Sequence, residues 1–130
     1  MSGVGVASKY MSSEFVEEIQ KKINADQGWL AAAKGMKLTA KFGVDGKFLS
    51  VRIEDGKMSE PKESSPADKA DASLDAKYEM WVRVYKGEIT LQSAVMTGHI
   101  KFGGNIGALM RFQRAFTRLM QIWRSIPVEF

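Results

Sequence analysis

The sequence has no cysteine and only one histidine among its 130 residues. Without cysteine the chain cannot form disulfide bonds, thiolate metal sites or a cysteine nucleophile, and this composition fits a reducing compartment. The single histidine, His99, has no acidic residue near it in the sequence to orient a Ser-His-Asp system. No His and Glu residues have the helical spacing of a metal site. We therefore predict that the protein is not an enzyme and holds no metal and no cofactor.

Long apolar runs and targeting signals are also missing. No window of about 18 uninterrupted apolar residues exists, so no membrane span is expected. The amino end lacks the basic start and continuous apolar core of a secretory signal, and the carboxyl end is not a peroxisomal or retention tripeptide. We expect a cytoplasmic protein.

The composition is that of one soluble globular domain over residues 1–130, with 45% hydrophobic and 26% charged residues. The net charge of +4 is unevenly placed, because residues 99–130 carry five Lys or Arg and one acidic residue. Such a basic segment can face nucleic acid, acidic lipid headgroups or a phosphate-bearing ligand, or it can be a solvated helix face. Since no nucleic-acid-binding motif accompanies it, nucleic acid is not expected as a partner.

Apolar periodicity predicts helices first and a hairpin next. Phe15, Ile19 and Ile23 recur every four residues, which predicts an amphipathic helix. Asp26 is then expected to cap a short helix. Two strand-like runs flank Asp45-Gly46, a strong hairpin signal. The polar, proline-containing segment 58–70 predicts an exposed loop.

The later elements complete a pattern typical of an α+β fold. In chain order, we predict a strand at "ASLDA", a helix in "KYEMWVRVYKG" that stops at Gly87, a short helical turn at "LQSAVM", a strand at "HIKF" and a long helix from Asn105 to about Trp123. This order predicts a mainly antiparallel sheet that helices cover on one side.

The predicted last helix is apolar over an unusually wide arc. On a helical wheel its apolar residues cover roughly 240°, whereas a surface helix needs a stripe of about 100°. The remaining side carries Arg111, Arg114 and Arg118. The helix must therefore meet a second apolar surface, which is another helix, a dimer partner or a ligand. Flexible and broad side chains such as Met110 and Phe116 favour a ligand or a partner, although plain core packing stays open.

The glycine-rich stretch "GHIKFGGNIG" does not fit a phosphate-binding loop. Gly107 is followed by Ala108 and Leu109, whereas a P-loop needs Lys and then Ser or Thr. The dinucleotide spacing G-x-G-x-x-G is absent as well. We interpret these glycines as structural corners, with Asn105 capping the following helix.

The stretch "YKGEITLQSAVMTGHIKFGGNIGALMRF" resembles the carboxyl half of the sterol carrier protein type 2 (SCP2-like) family. "KFGVDGKFLSVRIEDGK" is similar to the first hairpin of that family, and "ASLDAKYEMWVRVYKG" to its penultimate strand and helix. The resemblance covers roughly residues 13–123. It implies a five-stranded sheet with helices over one face and an apolar tunnel between them.

The resemblance also implies binding of a fatty acid, a fatty acyl-CoA, a sterol or another lipid without chemistry. Matched by position, the apolar residues that it implies for the cavity are Trp81, Tyr85, Met96, Phe102, Ile106, Met110 and Phe112. Because the final helix runs further than the motif requires, Phe116, Met120 and Trp123 are added as lipid-binding candidates on a lid or a partner surface.

The arginine stripe, Arg111, Arg114 and Arg118, is the candidate headgroup site. It could hold a carboxylate or a CoA phosphate at the cavity mouth, or touch an acidic membrane during transfer. The alternative function is an interaction module whose C-terminal helix forms a homodimer or docks on a larger enzyme.

Overall fold

A computed structural model describes the backbone of residues 7–130 and the side chains of residues 7–107 and 110–130. The helices are α1 (Ser13–Asn24), α2 (Gln27–Ala32), α3 (Tyr78–Tyr85), α4 (Leu91–Met96), α5 (Ile106–Arg111) and α6 (Gln113–Ser125). The strands are β1 (Ser8–Lys9), β2 (Lys37–Val44), β3 (Lys47–Glu54), β4 (Lys57–Met58), β5 (Lys62–Ser64), β6 (Ala72–Ala76), β7 (Lys101–Gly104) and β8 (Val128–Glu129).

The main sheet has the order β4-β3-β2-β6-β7, and β5 also pairs with β3. Since β2 occupies one edge of β3, strands β4 and β5 share the other edge, so six strands fill five positions. Only the pairing of β2 with β6 is parallel in this sheet. A small parallel pair, β1 with β8, joins the two ends of the described chain. The predicted α+β class with a mainly antiparallel sheet is confirmed.

The hairpin between β2 and β3 turns at Asp45 and Gly46, whose φ angles of +50° and +85° suit a type I′ turn. This turn sets the register, in which Phe42 lies opposite Leu49. Leu38, Phe42, Val51 and Ile53 are buried on the inner face of the hairpin. The helices cover this face, and residues such as Arg52 and Glu54 are exposed on the other.

The first two helices begin at the predicted caps. The Ser12 hydroxyl accepts a hydrogen bond from the Phe15 amide at 3.2 Å, and the Asp26 carboxylate accepts one from the Trp29 amide at 2.7 Å. Each cap satisfies an amide that the first helical turn leaves free. The apolar face of α1, which includes Phe15, Ile19 and Ile23, is buried in the core.

The predicted long C-terminal helix is wrong, because the structure divides it at Phe112. The backbone of Phe112 has φ −105° and ψ +32°, outside helical values, and α6 begins after it. The apolar residues of α5 and α6 therefore do not lie on one continuous wheel, and the wide arc expected from the sequence does not form. Asn105 does accept a hydrogen bond from the Gly107 amide at 2.8 Å, as its capping role predicts.

Two smaller predictions also need correction. The strand predicted at "HIKF" is Lys101–Gly104 instead, because the Ile100 amide donates to the Ala94 carbonyl and folds Ile100 back onto α4. The segment 58–70 is largely exposed as expected, but it contains β5, and Met58 belongs to β4. Both strands form because the outer edge of β3 offers unpaired backbone groups.

Candidate functional site

A cavity of about 290 Å³ lies between α4, α6 and the segment that joins α3 to α4. Its apolar lining comprises Leu74, Val84, Ile89, Leu91, Val95, Phe116 and Met120. Gly87 and five polar residues, Thr90, Gln92, Thr117, Gln121 and Arg124, complete the lining. The cavity is therefore amphipathic, and Arg124 is the charged residue in it.

Helix α6 presents different residues to the cavity and to the core. Phe116, Met120 and Arg124 follow one another at four-residue spacing and line the cavity, because such residues lie above one another on a helix. Leu119 and Ile122 are buried in the core instead.

Helix α4 forms the opposite side of the cavity. It begins at Thr90, whose hydroxyl accepts a hydrogen bond from the Ser93 amide at 3.0 Å. With this start, Leu91 and Val95 are one turn apart and both line the cavity, while Ala94 is fully buried. The short segment "LQSAVM" thus supplies part of the wall.

Two other concavities are larger but more open to solvent. One of about 520 Å³ has several charged residues in its lining, which include Asp45, Asp75, Glu79 and Lys101. Another, of about 720 Å³, lies beside Tyr10 and the β2–β3 turn and is lined by polar and apolar groups in similar measure. Neither offers an apolar chain the enclosure that α4 and α6 provide, so we treat the first cavity as the candidate site.

Trp81 and Trp123, both predicted to face the ligand, lie in the core and do not line the cavity. Their rings stack with centroids 6.0 Å apart. The Trp123 indole donates to the Tyr10 hydroxyl at 3.0 Å, and that hydroxyl donates to the Trp81 carbonyl at 2.6 Å. The Trp81 indole donates to the Gly43 carbonyl at 3.0 Å. Burial raises the pKa of the Tyr10 phenol, so this cluster is a neutral, fully bonded part of the core.

Tyr85, Phe102 and Phe112 are half-buried next to the cavity rather than in its lining. The Tyr85 hydroxyl donates to the Ile126 carbonyl at 2.6 Å. Phe102 pairs with Leu74 across the sheet, and Leu74 does line the cavity. Phe112 lies at the break between α5 and α6. Tyr85 and Phe112 pack against the core instead.

Met96, Ile106 and Met110 are exposed, with relative accessibilities of 82%, 51% and 64%. None of them lines the cavity. Met96 is the last residue of α4, whereas Ile106 and Met110 lie on α5, which the break at Phe112 separates from α6.

Phe116 and Met120 are the two predicted residues that the structure places in the cavity lining. Both lie on α6, in the part of the chain that extends beyond the most specific stretch of the resemblance.

The predicted headgroup arginines are placed away from the cavity. Arg118 donates two hydrogen bonds to the Asp26 carboxylate, at 2.9 and 2.6 Å. These bonds lower the pKa of Asp26 to about 2. The Arg111 guanidinium lies over the Phe112 ring, 5.6 Å from its centroid, and Arg114 is exposed.

Arg124 was not predicted from the sequence, although it continues the four-residue spacing of Phe116 and Met120 on α6. Val95 and Leu91 share a similar spacing on α4. By contrast, the participation of Val84 and Leu74 depends on how α3 and the sheet pack, which the sequence does not reveal.

The described residues show no group of three or more His, Cys, Asp and Glu that could hold a metal ion. His99 is exposed, and its Nδ1 lies 2.6 Å from the Thr97 hydroxyl. None of the helices within residues 7–130 is long and apolar enough to cross a membrane.

A protein-family model provides the deciding comparison. It matches residues 16–117 and describes the SCP-2 sterol transfer family. The chain belongs to this family. Membership in the SCP-2 sterol transfer family supports lipid binding or transfer in general, and it agrees with an amphipathic cavity beneath helices on one face of a sheet.

Solved structures share the SCP-2 fold over most of the chain. A crystal structure of sterol carrier protein 2 has a TM-score of 0.80 at 19% identity and covers 91% of this chain and 99% of that chain. The solution structure of a conserved hypothetical protein from Thermus thermophilus has a TM-score of 0.80 at 18% identity, with coverages of 95% and 96%. An SCP2 ubiquinone synthesis protein reaches 0.59 at 13% identity, with coverages of 85% and 94%. At these identities the likeness shows the fold. No curated protein sequence matches the chain.

Proposed function

We propose that the protein binds and transfers a single-chain apolar lipid in the cytoplasm without changing it chemically. The observation that carries this proposal is the cavity between α4 and α6, whose walls are mostly aliphatic and aromatic. An apolar chain gains free energy when its surface leaves water for such walls.

The size of the cavity favours one aliphatic chain. At about 290 Å³ it lies at the small end of ligand pockets, which typically measure about 300–1,000 Å³. Each buried methylene contributes about 0.8 kcal/mol, so a chain of about ten methylenes suffices for micromolar affinity after ordering costs. Among the ligands that the resemblance implies, a fatty acid or the acyl chain of an acyl-CoA fits this space better than a four-ring sterol.

The chemistry of the lining supports binding without catalysis. Threonine, glutamine and arginine are the polar residues of the lining, and no carboxylate, histidine or lysine among the described residues lines the cavity. A general base or an activated nucleophile needs such a group within hydrogen-bond reach.

The first experiment looks for a ligand that the protein carries. Purified protein is extracted with organic solvent and the extract is analysed by mass spectrometry, while added medium-chain fatty acids are titrated by calorimetry. We expect a co-purified single-chain lipid and saturable binding at one site. An extract free of lipid, together with no heat of binding for any chain length, would refute the proposal.

A substitution within the cavity tests where the lipid binds. Phe116→Asp places an unpaired carboxylate among aliphatic walls, where an apolar chain cannot solvate it, so we expect binding to be lost. Gln113→Asp adds the same charge to the exposed first turn of α6 and should bind normally. Equal binding by both variants would show that the lipid lies elsewhere.

The second candidate function is a homodimer or a transient membrane contact through the exposed part of the C-terminal region. Met96 and Met110 favour it, because large apolar side chains this exposed often mark an interaction surface. This hypothesis predicts a concentration-dependent dimer in light scattering that Met110→Asp abolishes, or sedimentation with anionic vesicles that the same change weakens. A protein that stays monomeric at all concentrations and does not sediment with vesicles would contradict this second function.

A further inference from the structure

We propose that Arg124 binds the anionic head of the ligand, a carboxylate or an equivalent oxyanion, at the rim of the cavity. This inference rests on the proposed function, because it assumes that an amphipathic lipid enters between α4 and α6. It assigns the head to a residue outside the arginine stripe that the sequence suggested.

The position of Arg124 is fixed through Tyr85. The Arg124 Nε donates to the Tyr85 carbonyl at 3.1 Å. The Tyr85 ring is itself held, because its hydroxyl donates to the Ile126 carbonyl and its ring packs against Tyr10 with centroids 5.2 Å apart. One nitrogen of the guanidinium is thereby anchored to the end of α3, and the side chain reaches the cavity rim without large loss of entropy on binding.

Gly87 leaves the space that the guanidinium occupies. Its φ of +75° lies in the left-handed region, and a Cβ at this position would collide with the Arg124 Nη2. Any side chain at residue 87 would therefore both strain the backbone and displace the guanidinium. The glycine of "YKGE" is thus tied to the placement of Arg124 as well as to the end of α3.

The charge of Arg124 is not neutralised by its neighbours. Glu88 is the acidic residue next to Gly87 in the sequence. Its carboxylate pairs with the Arg83 guanidinium at 3.6 Å and not with Arg124. In the part of the chain that the structure describes, no carboxylate lines the cavity, and the Nη1 and Nη2 groups of Arg124 have no hydrogen-bond acceptor. Those two nitrogens can present a planar pair of donors to an oxyanion.

The surrounding rim suits the same chemistry. Gln121 and Thr117 lie on α6 beside Arg124 and line the cavity with it, and Gln92 faces them from α4. These neutral polar groups can donate further hydrogen bonds to a carboxylate. Phe116 and Met120 continue the wall along the same helix, so a head at Arg124 places the chain among apolar side chains.

The experiment compares decanoate with 1-decanol at pH 8, using calorimetry on the full chain. The two ligands have the same chain length and differ in the charge of the head. The quantity measured is the ratio of the decanol Kd to the decanoate Kd. Comparing this ratio between a variant and the unmodified protein cancels the difference in how the two ligands partition from water. We expect Arg124→Gln to lower this ratio about tenfold, as loss of one charge-assisted interaction at a solvent-exposed site predicts, while decanol affinity stays close to that of the unmodified protein.

Matched variants separate the alternatives. Arg52→Gln removes the same charge from the outer face of the sheet and should keep the ratio. Gly87→Ala retains Arg124 but displaces it, so it should lower the ratio as well, with urea unfolding confirming that the variant is folded. Arg114→Gln tests the rival stripe.

The outcomes distinguish the inference from the proposed function. If Arg124→Gln leaves the ratio of the two Kd values unchanged, or if Arg114→Gln lowers it instead, the role of Arg124 is overturned. Lipid binding itself would then still stand. Failure of both decanoate and decanol to bind the unmodified protein would refute the proposed function itself.

Discussion

At the scale of single residues, Lys41 shows how the outer face of the sheet tolerates a buried charge. Its relative accessibility is 7%, and its ammonium donates to the carbonyls of Ser65, Pro66 and Asp68 at 3.1, 3.2 and 2.8 Å. The Phe48 ring lies 5.2 Å from the same ammonium, which explains why an aromatic residue stands on the polar face of β3. These hydrogen bonds and the aromatic ring compensate the ammonium for the water that it loses on burial.

Replacement of Lys41 should therefore loosen the segment that follows β5. We expect Lys41→Met to lower the free energy of unfolding by about 1–2 kcal/mol, because the side chain keeps its length and loses the three hydrogen bonds. Lys37→Met, at an exposed position of the same strand, should change the free energy of unfolding by less than about 0.5 kcal/mol. Urea denaturation measures both, and equal effects would contradict the anchoring role of Lys41.

The pair of Asp26 and Arg118 makes stability depend on pH. Its hydrogen bonds with Arg118 hold the pKa of Asp26 at about 2, below the ordinary value of 3.8. Since the folded value is depressed, the stabilisation is full above about pH 4 and is lost as the pH falls towards 2. Arg118→Gln should lower the urea midpoint at pH 7, and the difference from the unmodified protein should shrink between pH 4 and 2. A difference that stays constant over this range would contradict the pairing.

At the scale of elements, α6 has two structural tasks on two sides. Leu119 is buried, with a relative accessibility of 6%, and belongs to the core, whereas Met120 borders the cavity. A cavity-facing side chain has fewer packing partners to lose when it is shortened. The helix therefore contributes to the core through one side and to the cavity wall through the other.

This division predicts different costs for neighbouring truncations. We expect Leu119→Ala to destabilise the protein by about 2–5 kcal/mol, as for buried leucines in general, and Met120→Ala to cost less. Met120→Ala should also enlarge the cavity and shift the preferred fatty acid to a longer chain. Thermal unfolding and a chain-length series measure the two effects. A larger stability loss for Met120→Ala, with an unchanged chain preference, would contradict the assignment.

The elements could be predicted from the sequence where the signal is local. The Ser12 and Asp26 caps, the Asp45-Gly46 turn and the periodicity of α1 all depend on residues close in the chain. The break at Phe112 could not be predicted, because it follows from how α6 packs against the core while the exposed α5 leaves its axis. The cavity lining could not be predicted for the same reason, because it depends on tertiary packing. Trp81 and Trp123, for example, are apolar side chains that fit a cavity wall and a core equally well.

At the scale of the whole molecule, the fold encloses an amphipathic space whose walls come from distant parts of the chain. Leu74 of β6, Val84 of α3, Val95 of α4 and Met120 of α6 meet in it. The sheet, the covering helices and the family were predicted from the sequence. Which residues meet around the cavity is instead determined by tertiary packing. Phe116 and Met120 are the predicted residues that line the cavity, because their four-residue spacing on α6 places them on one side of the helix.

The most direct test of lipid binding between α4 and α6 is a filtered nuclear Overhauser experiment. Unlabelled decanoate is added to protein carrying ¹³C-labelled methyl groups. The account predicts contacts from the aliphatic chain to the methyl groups of Leu91, Val95 and Met120. Contacts confined to the exposed Met96 and Met110, or no contacts at saturating decanoate, would contradict it.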